Sequence, residues 1–234
     1  MDFATPLIRA TLIRRYKRFL ADVTLEDGQQ VTAHCANPGA MLGVAPPGAT
    51  VWLEPTNNPK RKLKYSWKLL ELGDGHFAGI DTGVPNRVVE EALNTRAISE
   101  VAQYPMIRPE VKYGERSRVD FLLTGDGLPD CYLEVKNVHL RRTAELAEFP
   151  DCVTARGARH MEELSNMVSA GHRAILLYLV QRTDCSAISL ASDIDPAYAA
   201  AAQAARTAGV EMICYSTSIT RKGVWLATPL PFAA

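Results

Sequence analysis

The chain has 234 residues, 47% hydrophobic and 22% charged, with 26 basic against 26 acidic side chains. That balance is ordinary for a folded globular protein and excludes disordered and fibrous classes. No apolar run is long enough to span a bilayer and the first residues lack a signal-peptide core, so the expected location is the cytoplasm, with no membrane partner.

The first 81 residues read as all-β. Pro6 to Ile13, Phe19 to Leu25, Gln30 to Cys35 and Thr50 to Glu54 are strand-like, separated by turns rich in Gly and Pro. Leu63 to Leu72 and His76 to Ile80 can pair around Gly73-Asp74-Gly75. Short strands punctuated in this way predict a small OB-like barrel, residues 1–81. Its charge is uneven: Met1 to Lys68 hold ten Lys and Arg against five Asp and Glu, a net of +5 that the rest of the chain offsets. Arg14, Arg15, Lys17 and Arg18 surround Tyr16 and lead to Phe19, and Lys62 and Lys64 lead to Tyr65 and Trp67. Cations attract phosphates and aromatic faces stack on unpaired bases, so these clusters are a candidate nucleic-acid surface; the alternative is that the aromatics belong to the barrel core.

After a linker at Asp81 to Pro85 the pattern becomes helical from Asn86, with Val88, Val89, Ala92 and Leu93 on one face. Three strands are expected next, Glu110 to Tyr113, Arg118 to Leu123 and Cys131 to Val138, with turns at Gly114-Glu115-Arg116 and Gly125-Asp126-Gly127. A helix from Ala155 to Ala170 precedes Arg173 to Val180, a nearly continuous apolar strand suited to the centre of a sheet covered on both faces. Ala187 to Leu190 adds a strand, Asp195-Pro196 opens an Ala-rich helix that Gly209 closes, and Val210 to Tyr215 and Gly223 to Ala227 finish the chain. This order predicts a second domain, residues 82–234, an α/β sandwich around a mixed sheet. The five scattered cysteines form no CxxC pair and read as free thiols.

The chemistry concentrates on two of these strands. In Cys131 to Asn137, Leu133 and Val135 point to the core, so Glu134 and Lys136 share the opposite face; Val119 and Phe121 flank Asp120 in the same way. A short turn lets the strands pair and brings Asp120 beside Glu134. Two adjacent carboxylates repel each other, and a hard divalent cation, Mg²⁺ or Mn²⁺, relieves the repulsion. With Lys136 beside them, the set can hydrolyse a phosphodiester. On the helix from Ala155, Arg156 and His160 are one turn apart and can line the same cleft, Arg156 as a phosphate ligand.

The ordered set of helix, Asp120 strand, Glu134-Val-Lys136 strand and helix resembles the PD-(D/E)xK nuclease superfamily. On that resemblance Asp120, Glu134 and Lys136 are catalytic, Asp120 and Glu134 ligate the metal, and Glu90 or Glu91 on the first helix adds a carboxylate. Val119-Asp120 replaces the literal Pro-Asp pair. A closer resemblance runs along almost the whole chain. Lys17-Arg18-Phe19, His34 to Met41, Gly83 to Asn86, Arg118 to Phe121, Glu134 to Val138 and Phe149 to Gly157 with His160 are similar to the sugar fermentation stimulation protein (SfsA) family. That resemblance implies an OB-like domain, a nuclease-like domain and DNA binding, with DNA ahead of RNA as the expected partner and the choice of substrate between them open. It leaves two functions open: a divalent-metal-dependent nuclease, or a non-cleaving DNA-binding regulator of sugar, especially maltose, utilisation genes.

Overall fold

The computed structural model describes residues 1–114 and 117–233; Glu115 and Arg116, expected in a turn, lie outside the described residues. The N-terminal strands are β1 (Ile8–Tyr16), β2 (Leu20–Leu25), β3 (Gln30–Cys35), β4 (Thr50–Pro55), β5 (Tyr65–Glu71) and β6 (Phe77–Gly79). Their order is β3-β2-β1-β4-β5-β6, and β3 also pairs in parallel with β5, His34 opposite Ser66 and Cys35 opposite Trp67. That pairing closes β1 to β5 into a five-strand barrel, which removes the sheet's open edges. Alternating residues fill it: Leu12, Val23, Val51, Leu53 and Trp67 are at most 1% exposed.

The remaining strands and helices are α1 (Val84–Asn94), β7 (Met106–Tyr113), β8 (Ser117–Thr124), β9 (Cys131–Val138), β10 (Leu140–Thr143), β11 (Leu146–Phe149), α2 (Ala155–Ser169), β12 (Arg173–Val180), β13 (Ala187–Leu190), α3 (Pro196–Thr207), β14 (Glu211–Thr220) and β15 (Gly223–Pro229). The main sheet runs β15-β14-β12-β9-β8-β7, with β12 parallel to both β9 and β14 and the outer pairs antiparallel, so it is mixed as expected. Ile175, Leu177 and Leu179 of β12 pack with Val88 and Val89 of α1. The alternate residues Leu176, Tyr178 and Val180 pack with Met161 and Leu164 of α2 and Tyr198 of α3. Two-residue alternation on a strand covered on both faces explains its unbroken apolar run.

The helix starts follow capping chemistry. Thr154 accepts from Gly157 N (3.1 Å) at α2, and Asp195 accepts from Tyr198 N (3.0 Å) at α3. The second oxygen of Asp195 accepts from Thr154 N (2.8 Å), so one buried carboxylate fixes both helix entries. Several elements differ from expectation: β1 runs on to Tyr16 rather than ending at Ile13, and β14 runs on to Thr220 rather than ending at Tyr215. β7 starts at Met106 rather than Glu110, because Pro109 reads as a breaker but is tolerated on this edge strand. The hairpin β10–β11 was not expected; with β13 it forms a separate three-stranded sheet, β11 and β13 running parallel.

The domains meet along the C-terminal ends of β9 and β12. Ala78 bridges Arg182, and Gly79 N donates to Gln181 O (2.8 Å). From the barrel, Met41 N donates to Asp151 Oδ2 (2.8 Å), whose carboxylate also meets His139 Nε2 (3.2 Å). Gly39 makes this approach possible, since a Cβ there would stand 2.9 Å from Asp151 Oδ2. Burial works to raise the Asp151 pKa, but the His139 contact and the Met41 N–H prevail and hold it at about 2. No described helix is long and apolar enough to cross a membrane.

Candidate active site

β8 and β9 pair antiparallel as Phe121 with Leu133, Leu122 with Tyr132 and Leu123 with Cys131. One further step of that register sets Asp120 opposite Glu134, and there the ladder stops. The Val135 N–H turns instead to Asp120 Oδ2 (2.7 Å), and Asn86 Nδ2 at the start of α1 donates to Asp120 Oδ1 (2.7 Å). The carboxylate thus replaces a strand bond at the point where the strands separate. Val119 and Phe121 do not flank Asp120 in the same way. Val119 packs on the α2 side and Phe121 on the α1 side, so the strand turns over at Asp120. Opposite it on β7, Glu110 has φ of 55°, an irregularity that fits the same turnover.

Glu134 is 4% exposed. Its Oε1 accepts from Lys136 Nζ (2.8 Å) and meets His160 Nδ1, while Oε2 has no hydrogen-bond partner among the described residues. Arg156 Nε donates to His160 Nε2 (3.2 Å), which fixes that nitrogen as an acceptor and leaves Nδ1 to donate to Glu134. Burial opposes ionisation of Glu134, but the His160 bond and the Lys136 charge outweigh it and lower its pKa. Asp120 shifts the other way. Burial and the Glu134 charge raise it to about 6, against the Val135 N–H, the Asn86 amide and Lys136. The two acids are therefore held in unlike states near neutrality: one firmly anionic, the other close to accepting a proton.

The structure brings Asp120, Glu134 and Lys136 together. It corrects the expectation for His160, which is 3% exposed and bound to Glu134 rather than open to a nucleic acid. Arg156 is exposed one turn before it. Glu91 is half-exposed and pairs with the Met1 amine (3.0 Å). Glu90 is half-buried on α1 and makes no hydrogen bond or ion pair among the described residues. Among those residues no three His, Cys, Asp or Glu side chains are gathered tightly enough to hold a metal ion by themselves. The donor set is thus two carboxylates, one with a free oxygen. Hard oxygens suit a small divalent cation that keeps part of its water shell. An orphaned, buried carboxylate oxygen beside a raised Asp120 fits such an ion.

The barrel's basic residues divide. Lys17 and Arg18 form the exposed tip of the β1–β2 hairpin, with φ of 47° and 62°, beside exposed Phe19. Lys62 and Lys64 are exposed in the β4–β5 loop. Arg14 lies over the Tyr16 ring and pairs with Asp22 (2.9 Å). Arg15 does not fit the phosphate-binding expectation: its guanidinium donates to the carbonyls of Arg18 (3.0 Å), Asn37 (2.8 Å) and Gly39 (2.9 Å), holding the loop that meets Asp151. Trp67 is fully buried, so of the three aromatics it is the core residue and Phe19 the open one. The sequence reading missed Asn86, whose place in Gly83-Val84-Pro85-Asn86 gave a hint but no role.

Two family models match the chain: the SfsA N-terminal OB domain over residues 13–80 and the sugar fermentation stimulation protein RE domain over residues 83–223. A sugar fermentation stimulation protein homolog from Dinoroseobacter shibae is 63% identical over 99% of this chain and 95% of its own length. One from Jannaschia sp. is 59% identical, over 99% and 96%. Among solved structures, Pyrococcus furiosus SfsA in complex with Ca²⁺ is similar with a TM-score of 0.89 at 26% identity, covering 100% of this chain and 98% of that one.

Proposed function

The chain belongs to the sugar fermentation stimulation protein (SfsA) family, and from that premise we propose that it is a DNA-binding phosphodiesterase, a nuclease dependent on Mg²⁺ or Mn²⁺. The observation that carries the reading is Glu134: buried, anionic, tied through one oxygen to Lys136 and His160, and unpartnered at the other. Burying a carboxylate with an unsatisfied oxygen destabilises a fold and has no structural use here. The Ca²⁺ complex of the Pyrococcus furiosus relative supports a divalent ion.

Asp120 and the free oxygen of Glu134 are the residues that would hold the cation. When bound, it would supply Lewis acidity at the phosphate and offset charge developing there. The protein does the rest by positioning. Asn86 and the Val135 N–H fix both oxygens of Asp120. His160, itself oriented by Arg156, fixes Glu134. Lys136 carries a positive charge to the same point, and exposed Arg156 is suited to a flanking phosphate. Lys17, Arg18, Lys62 and Lys64 extend the cationic surface onto the barrel loops, the usual nucleic-acid side of such a fold.

The test is cleavage of single- and double-stranded DNA, with RNA for comparison, in Mg²⁺ or Mn²⁺. Activity is expected from the wild type and lost in Glu134→Gln and Lys136→Ala; cleavage that persists in both variants assigns it to a contaminant. The second reading, a DNA-binding regulator of sugar-utilisation genes that does not cut, draws on one observation. Lys136 is only 11% exposed and its ammonium is engaged by Glu134. On that reading, DNA affinity survives Glu134→Gln and falls when Lys17 and Arg18 are neutralised, with no cleavage from any form.

A further inference from the structure

Among the described residues four buried side-chain polar atoms have no hydrogen-bond partner: Gln181 Oε1, which lies against Gly79 of the barrel, and a group of three, Glu134 Oε2, Glu163 Oε2 and Tyr113 Oη. The residues of that group are 4, 9 and 6% exposed. The sequence explains why they meet. His160 and Glu163 are three residues apart on α2 and share its inward face, and His160 is bound to Glu134. Gly114, which follows Tyr113, backs onto Glu163: a Cβ there would stand 3.3 Å from Glu163 Oε1. The Tyr113 phenol is pushed well above its usual range, by burial first and then by the charges of Glu134, Glu163 and Asp120. All three carboxylates thus bear on one hydroxyl.

Buried polar atoms almost always find a partner, and three orphans in one neighbourhood have no packing explanation. Two carboxylate oxygens and a phenol that bond neither each other nor the backbone are suited to water molecules, which can donate to both acids and bond the hydroxyl. The three acids are not gathered closely enough for one ion to touch all of them. Small divalent cations, however, retain several waters. We propose that Glu163 and Tyr113 hold the water shell of the cation bound by Asp120 and Glu134, so that Glu163 on α2, not Glu90 on α1, is the third acidic group of the centre. This inference rests on the cation reading of the site given above. Glu163 and Tyr113 act through water and are positioning residues.

Titration of the full chain with Mn²⁺, followed by the electron paramagnetic resonance signal of the free ion, tests it without measuring cleavage. Outer-shell groups typically contribute about 10–100-fold to metal affinity. Glu163→Gln is expected to weaken Mn²⁺ binding by about tenfold or more and Tyr113→Phe by a smaller factor. Glu90→Gln should bind as the wild type does. In chelator, Tyr113→Phe should not melt below the wild type, because it deletes an unpartnered buried hydroxyl, and Glu163→Gln should stay close to the wild type, because it trades a buried charge for a neutral amide of the same shape. Should Glu163→Gln not fold, Glu163→Asp, which keeps the charge and withdraws it, is expected to show the same loss. Wild-type affinity in Glu163→Gln, with binding lost in Glu134→Gln, overturns this proposal and leaves the cation reading standing. No Mn²⁺ binding by the wild type, or binding unchanged in Asp120→Asn and Glu134→Gln, brings down both.

Discussion

Two buried charge clusters, one on the barrel and one on the mixed sheet, are built to different ends. On the barrel, Lys68 is 8% exposed and is met by Asp81 (2.6 Å) and Glu54 (3.3 Å), a cation enclosed by its counter-charges. On the sheet, Glu134 is equally buried but only half-satisfied, and its neighbour Asp120 is a second acid rather than a base. A saturated cluster holds a fold together. An unsaturated one, stabilised by the packing around it, is poised for something the chain does not itself supply.

Substitution should separate the two clusters. Glu134→Gln should lower cleavage by about a thousandfold or more, the scale of a lost electrostatic group at a hydrolytic centre, while its melting temperature stays near that of the wild type. Lys68→Met should do the reverse. Leaving Glu54 and Asp81 uncompensated should cost about 3–5 kcal/mol in denaturant unfolding, while folded molecules keep wild-type Mn²⁺ affinity. Equal stability losses in both variants would erase the distinction.

A pH series sharpens it. The Asp120 pKa is raised in the folded chain from 3.8 to about 6, so folding favours its protonated form. In chelator, stability should therefore fall as pH rises from about 4 to about 6, by up to about 3 kcal/mol, and remain lower above that. Asp120→Asn should remove this slope, as read from urea unfolding at each pH. The smallest effect lies on the barrel surface. Neutralising Lys17 and Arg18 should reduce the salt dependence of DNA binding by about two units of log K against log salt, if each meets one phosphate. Arg15→Ala should instead loosen the 37–41 loop, because its guanidinium is bound to that loop's carbonyls.

Much of this was legible in the sequence, and the misses have physical causes. Alternation exposed the barrel strands and β9, and the unbroken apolar run of β12 marked the sheet's centre. Glu134 and Lys136 could be placed together because two-residue spacing leaves little choice. Pro109 concealed the start of β7, since a breaker residue carries no sign that the strand is an edge. Leu140 to Thr143 has one apolar residue in four and pairs only in a small separate sheet, so its pattern was too short to stand out. Spacing put His160 in the cleft beside Arg156 as a nucleic-acid contact, and only the approach of α2 to β9 shows that it is buried against Glu134 instead. Glu163 and Tyr113 are far apart in the chain, and spacing could not bring them together.

The proposed function stands on Asp120 and the free oxygen of Glu134 as the two protein ligands of a divalent cation. Crystals of the wild-type chain soaked in Mn²⁺ and measured for anomalous diffraction should show one strong peak within coordination distance of Asp120 and Glu134 Oε2, absent in Glu134→Gln. Mn²⁺ bound only elsewhere, or a peak unchanged in that variant, would rule these ligands out.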